Sequence, residues 1–196
     1  MKKFIAAAVL CSGAFAASAQ SATPIPTLEP AGWRGLMGLE VTGGGDPLVS
    51  LRYTDGTSST VRAGEGLVVR GGAEYRVNAQ IRVTGTLGYH IKRTPEADVE
   101  VHFSRFPLEL ISSFAVQPNF EIGVGLRKAL HAGVRSSGRL GAYTANAQSS
   151  LGTIVQAEWL VSPKIGVTLR YVRENYEFSD GKFSGDHIGL GFNAYF

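Results

Sequence analysis

His187-Ile188-Gly189-Leu190-Gly191-Phe192-Asn193-Ala194-Tyr195-Phe196 are the last ten residues of the chain. In an extended backbone successive side chains point to opposite sides. Ile188, Leu190, Phe192, Ala194 and Phe196 therefore share one face, and His187, Gly189, Gly191, Asn193 and Tyr195 share the other. One face is apolar and the other is polar or tiny. Period-two alternation of this length predicts a β-strand between two different environments.

The same split recurs upstream. In 164–172, Ile165, Val167, Leu169 and Tyr171 oppose Gly166, Thr168, Arg170 and Val172. In 151–161, Leu151, Val155, Ala157, Trp159 and Val161 oppose Gly152, Ile154, Gln156, Glu158 and Leu160. In 119–128, Phe120, Ile122, Val124 and Leu126 oppose Glu121, Gly123, Gly125 and Arg127. Stretches 35–42, 67–77, 80–92 and 105–116 repeat it. Their polar faces carry Glu40, then Arg70, Glu74 and Arg76, then Arg82 and His90, then Arg105, Glu109 and Ser113. A sustained helical stripe is missing. The expectation is an all-β fold, an eight-stranded antiparallel up-and-down transmembrane β-barrel, with strands of the length a tilted membrane strand needs.

The connections support this. Val77-Asn78-Ala79, Gln117-Pro118-Asn119 and Ser162-Pro163-Lys164 are short turns. Stretches 43–65, 93–101, 129–149 and 177–186 are longer, the asymmetry outer-membrane barrels show. Within the first, Leu48–Tyr53 and Ser59–Arg62 read as a hairpin about Asp55-Gly56 that rises above the membrane. Pro107 falls inside the fourth strand, where a closed barrel has no free edge, so a bulge is expected there.

At the other terminus, Met1-Lys2-Lys3, the apolar run Phe4–Phe15 and Ala17-Ser18-Ala19 read as a signal peptide over residues 1–19, cleaved after Ala19. The proline-bearing 20–33 reads as a periplasmic lead-in, leaving 34–196 as the barrel domain. The one cysteine, Cys11, lies in the signal segment, which removes disulfides and thiol chemistry from the mature chain. The formal net charge is +3 from 19 basic and 16 acidic residues. Without Lys2 and Lys3 the balance is 17 against 16, or +1, and no basic block points to nucleic acid.

A soluble cup would turn its apolar face inward, and a membrane barrel turns it outward. The polar faces decide. Glu40, Glu74, Glu109, Glu121 and Glu158 face Arg70, Arg76, Arg82, Arg105, Arg127 and Arg170, with glycines between them. Arg and Glu in near balance suit a confined lumen, where forked Arg–carboxylate pairs offset the cost of burying charge. The aromatics form two girdles. Trp33, Tyr75, Phe114, Phe120, Trp159 and Phe196 are expected near the periplasmic strand ends, Tyr89 and Tyr171 toward the outer ends.

The terminal stretch Gly189–Phe196 resembles the closing signature of bacterial outer-membrane proteins. Over 34–196 the chain resembles the OmpA/OmpX-like small outer-membrane β-barrel family. Gly43-Gly44-Gly45-Asp46, Tyr53-Thr54-Asp55-Gly56 and Phe103–Leu110 look like parts of one group of such proteins. The resemblance implies localisation in the cell outer membrane and contact with outer-membrane lipid and lipopolysaccharide. It also implies that the barrel-assembly machinery reads Ile188, Leu190, Phe192 and Phe196. A monomer without a peptidoglycan-binding domain is expected.

For function, most weight falls on structural support or surface binding by the long loops over a side-chain-filled lumen. A narrow porin-like channel is the alternative. A lipid A-modifying enzyme is a further one, because His102-Phe103-Ser104 resembles the His-x-Ser pair of outer-membrane deacylases. Arg105 stands where that family has Asn, however, and nothing acidic lies between Glu109 and Glu121. No catalytic, metal or cofactor residues are assigned. His90, His102, His131 and His187 lack ligand spacing. Glu174, Glu177, Asp180 and Asp186 read as an acidic outer loop.

Overall fold

The computed structural model describes residues 31–52, 58–93, 99–138, 143–179 and 181–196. The signal segment 1–19, nearly all of the lead-in, the Asp55-Gly56 turn and Asp180 lie outside the described residues.

Eight strands close the wall, all antiparallel to their neighbours. They are β1 (Gly32–Gly44), β4 (Gly66–Arg76), β5 (Ile81–Arg93), β6 (Val99–Gln117), β7 (Phe120–Gly138), β9 (Leu151–Ser162), β10 (Ile165–Arg173) and β13 (His187–Tyr195). The order β7-β6-β5-β4-β1-β13-β10-β9 returns on itself through β7–β9 pairing. β13 pairs with β1 from Tyr195↔Leu36 to His187↔Gly44, so the first and last strands form the seam. Closure leaves no open edge in the wall, the condition for spanning lipid with strands.

Register sends the alternation to two sides. Met37, Leu39, Val41, Val124, Leu169, Leu190 and Phe192 are exposed on the outside, while Glu40, Arg70, Glu109, Arg127 and Arg170 are buried inside. In β9 the outward set runs from Leu151 to Val161. That is roughly 33 Å along a strand, or about 25 Å along the barrel axis at a tilt of ~40°, the height of a membrane barrel's apolar band.

The long stretches are largely strand rather than loop. β6 and β7 run on beyond the apolar belt, extended by β8 (Tyr143–Ser149) and β11 (Asn175–Phe178), with β2 (Pro47–Arg52) and β3 (Ser58–Arg62) beside them. β12 (Gly181–Ser184) completes the outer sheet beside β11. β8 continues β9 across Ser150, and β11 continues β10 across Glu174. The two bends are tied by the Ser150 amide on the Asn175 carbonyl (2.9 Å). Hairpin β2–β3 is a separate two-stranded sheet. Gly44 (φ +134°) and Gly45 (φ +80°) turn the chain into it with backbone angles that L residues rarely adopt. It does not simply rise above the wall. Val61 and Ala63 are buried against Val101, Phe103, Ala129, Ala132, Val134 and Tyr176, an apolar cap over the outer mouth.

Pro107 behaves differently from expectation. β6 keeps strict alternation through it, with Arg105, Pro107 and Glu109 all facing inward. The bulge lies one strand away, in β7, where His131 and Ala132 together oppose Arg105. His131 takes up the extra residue at φ +49°. Pro107 is accommodated because its ring fills the space over Gly88, where a Cβ would stand 3.1 Å from the Pro107 Cγ.

Candidate functional site: the lumen and its outer mouth

Inward parity on the wall strands brings the charged side chains to one axis. Arg70 (β4) and Arg170 (β10) both bond Glu40 (β1), Arg170 through Nη1 at 2.9 Å. Arg170 Nη2 also reaches Glu109 at 2.7 Å, and Arg127 Nη1 reaches the other oxygen of Glu109 at 2.9 Å. Arg127 Nε then meets Glu174 at 3.1 Å, and Arg105 Nη2 lies 3.7 Å from Glu174. The result is a ladder, Arg70–Glu40–Arg170–Glu109–Arg127–Glu174–Arg105, climbing the lumen with alternating sign. Every carboxylate of this ladder is shared by two guanidinium groups, whose fork geometry permits two simultaneous partners. Neutral partners complete it: Thr86 Oγ1 donates to Glu109 at 3.2 Å, and Asn193 Oδ1 accepts from Arg70 Nη2 at 2.8 Å.

Below it lies a second group. Arg34 Nε donates to Glu74 at 2.7 Å, Arg82 Nε stands 3.8 Å from Glu74, and Arg82 Nη1 pairs with Glu121. Glu158 is held by neutral donors, the Tyr195 hydroxyl at 2.6 Å and Asn193 Nδ2 at 3.1 Å. Arg76 is half-buried at the end of β4, its Cα opposite Arg82. Lumen glycines give way to these groups. A Cβ on Gly189 would run into the Glu40 carboxylate, and one on Gly166 into that of Glu158. A mid-lumen cavity lined by Arg70, Thr84, Thr86, Gln156, Glu158 and Asn193 has room for about one water.

Four titratable lumen members stand outside the predicted charge network, although His90 and His187 lie on the predicted polar faces. Arg34, His90, Glu174 and His187 all face inward. Glu174 departs from the expected acidic outer loop: it is 1 % exposed and bonded to Arg127. Its position was legible, because Gly166, Thr168, Arg170, Val172 and Glu174 continue one parity along β10. Glu177 and Asp186 do lie outside the lumen, the former 3.8 Å from Lys182, the latter accepting from the Glu174 amide at 3.0 Å. His90 and His187 meet edge to face with ring centroids 5.6 Å apart. Thr42 Oγ1 lies 3.0 Å from His90 Nε2, and Arg127 Nη2 lies 3.4 Å from His90 Nδ1. His131 instead faces outward, edge-on to Phe106. Among the described residues no group of three metal-ligating side chains forms. His102 and Ser104 take the parity opposite to Phe103 and Arg105, so they project from the outer face of β6.

On the outside, Trp33 stacks on Tyr75 at 4.8 Å near the strand ends that carry Phe196, with Trp159 opposite Phe120 at the same level. Phe114 lies at the low end of β6, opposite Ile81. Tyr89 and Tyr171 lie toward the other rim, Tyr89 against Phe106 at 5.1 Å. Ile188, Leu190, Phe192 and Phe196 all face outward.

No family model matches the chain, and no curated protein matches it in sequence. Solved structures do. Ail, the attachment invasion locus protein of Yersinia pestis, solved in complex with the heparin analogue sucrose octasulfate, superposes with a TM-score of 0.57 at 14% identity. That match covers 85% of this chain and 99% of Ail. Neisserial surface protein A superposes with a TM-score of 0.52 at 17% identity, over 86% of this chain and 100% of its own. The fold is that of the small eight-stranded outer-membrane β-barrels.

Proposed function

We propose that this chain is an integral outer-membrane protein whose outer strands and loops bind surface partners or support the envelope, over a lumen closed to solutes. The observation that carries this reading is the double closure of the barrel. The arginine–glutamate ladder fills the mid-section, and the cap of Val61, Phe103, Val134 and Tyr176 covers the mouth. An eight-stranded barrel is only wide enough for side chains to fill. The location rests on the fold and on the outward apolar belt. Lipopolysaccharide and outer-membrane lipid are the surroundings this belt fits, and the outward face of β13 is the surface offered to the barrel-assembly machinery. Outer structure on a rigid wall is a natural binding platform. Ail, which shares the fold, was solved with a heparin analogue, in keeping with a binding role. Arg105 stands where the deacylases have Asn and no acid lies between Glu109 and Glu121, so the enzymatic reading ranks below.

Purified protein folded into lipid vesicles is expected to migrate differently when cold and when boiled, and to give no stable porin-sized steps in planar bilayers. Large, steady single-channel currents would overturn the closed-lumen reading. Removing 139–142, between β7 and β8, is expected to preserve the cold-gel shift while reducing attachment of whole cells to host-matrix surfaces. Loss of the shift would make the segment structural instead.

A further inference from the structure

The outer face of the wall is not uniform where it leaves the membrane. Tyr89 packs on Phe106 at 5.1 Å, and His131 stands edge-on to Phe106 with ring centroids 6.5 Å apart. These rings mark the outer girdle across β5, β6 and β7. Beyond them the register lines up polar groups on the same face. Ile91, Ser104, Gly133 and Asn146 form one row across β5, β6, β7 and β8. Arg93, His102, Arg135 and Thr144 form the next. In that row Arg93, Arg135 and Thr144 are exposed and His102 is half-buried. Followed the other way round the wall, the row of Ile91 continues through Leu67 and Val41, both exposed and apolar. The β5–β7 side therefore carries a basic row that the β4–β1 side lacks.

The height of the row fits a head group. Arg93 follows Tyr89 by four residues, roughly 13 Å along the strand and about 10 Å along the axis of a tilted barrel. The polar zone of a leaflet is roughly 5–8 Å deep beyond the hydrocarbon. Arginine stems bend readily along a surface, so the two guanidinium groups reach the level of lipid phosphates. Glu100 lies two ladder positions farther from the membrane, its Cα opposite Ser137. Arg93 and Arg135 flank His102 from the two neighbouring strands, about 10 Å apart at Cα. Their forks can converge on one phosphate over β6. Ser104 and Asn146, in the row beneath, offer a hydroxyl and an amide to sugar hydroxyls.

We propose that the outer face of β5–β8 binds the phosphorylated sugar head group of an outer-leaflet glycolipid of the lipid A type, with Arg93 and Arg135 holding the phosphate. The acyl chains then run down the apolar face below Tyr89 and Phe106. The inference rests on the membrane placement proposed above and gives it a side: one lipid held at a fixed position, rather than an even ring of lipid around the wall.

Native mass spectrometry of the folded barrel in a neutral detergent, titrated with bisphosphorylated lipid A and with the same lipid dephosphorylated, tests the proposal. The barrel is expected to retain one lipid A and to lose the dephosphorylated form. Arg93→Gln combined with Arg135→Gln is expected to weaken retention roughly a hundredfold, about tenfold for each charged donor removed, while the cold-gel shift persists. Arg93→Lys with Arg135→Lys should recover part of the loss. Arg173→Gln removes an exposed charge from β10, four strands from β5 in the wall, and should leave retention unchanged. An equal loss in Arg173→Gln, or equal retention of the two lipids, would refute the site. Sucrose octasulfate binding that falls in the double glutamine variant, with no lipid A retained, would assign the row to a soluble sulfated glycan and refute it as well. A wild-type barrel that folds into vesicles yet retains no lipid A overturns this site alone, whereas a chain that never enters vesicles overturns the membrane placement with it. Should the double variant fail to fold, the two lipids compared on wild type and on Arg173→Gln still decide.

Discussion

Replacing Arg170 by Met tests whether the lumen ladder acts as one unit. Arg170 is buried, links β10 to β1 and β6, and bridges Glu40 at 2.9 Å and Glu109 at 2.7 Å. Met keeps much of the length and apolar stem and removes the charge. Breaking a buried ion pair by deleting one partner costs about 3–5 kcal/mol, because the remaining charge is left uncompensated. Here Glu40 retains Arg70 and Glu109 retains Arg127. The expected cost is therefore at the low end, about 3 kcal/mol, or roughly a hundredfold in the folding equilibrium. Arg170→Met combined with Glu109→Gln removes one charge of each sign, and the pair should show a coupling energy of about 1–2 kcal/mol. Arg170→Lys should fall between wild type and Met, since an ammonium group lacks the fork that spans two carboxylates. Equilibrium urea unfolding in phospholipid vesicles provides the measurement, followed by fluorescence of the exposed Trp33 and Trp159 and by the cold-gel band. A single-variant loss under about 0.5 kcal/mol would refute the ladder as a stabilising element. A double-variant loss equal to the sum of the two singles would refute its coupling.

Two further outcomes follow from the wall. Leu190→Arg, in the middle of β13 with its side chain on the outer face, should lower stability in bilayers by about 2–4 kcal/mol, and a loss below about 1 kcal/mol would argue that this face does not meet hydrocarbon. Gly189→Val places a branched side chain where the Glu40 carboxylate stands, so the variant should lose the cold-gel shift that Leu190→Val retains; unchanged folding of Gly189→Val would show that the glycine is not required for space.

The wall was legible because lipid outside and charge inside impose period two on every strand, and a one-residue slip would exchange the two sets. Leu190 and Gly189, or Leu169 and Arg170, reveal their faces from neighbours alone. The outer structure was harder for a physical reason. Above the lipid both faces of a strand can meet polar surroundings, so the pattern weakens, and Val101, Val134 and Tyr176 gain meaning only once β6, β7 and β11 are brought together around the mouth. Pro107 misled because a missing donor can be accommodated without disturbing its own strand: the partner β7 carries the bulge at His131. Glu174 shows the opposite failure. Its parity with Arg170 pointed inward, yet its acidic neighbours suggested a solvated loop. Parity is the stronger guide wherever a strand has already declared its faces, because reversing one side chain within a ladder requires a bulge. Applied to β10, that rule carries the lumen past the apparent end of the strand through Glu174 to Tyr176, and so to the outer end of the ladder, where Arg105 meets Glu174.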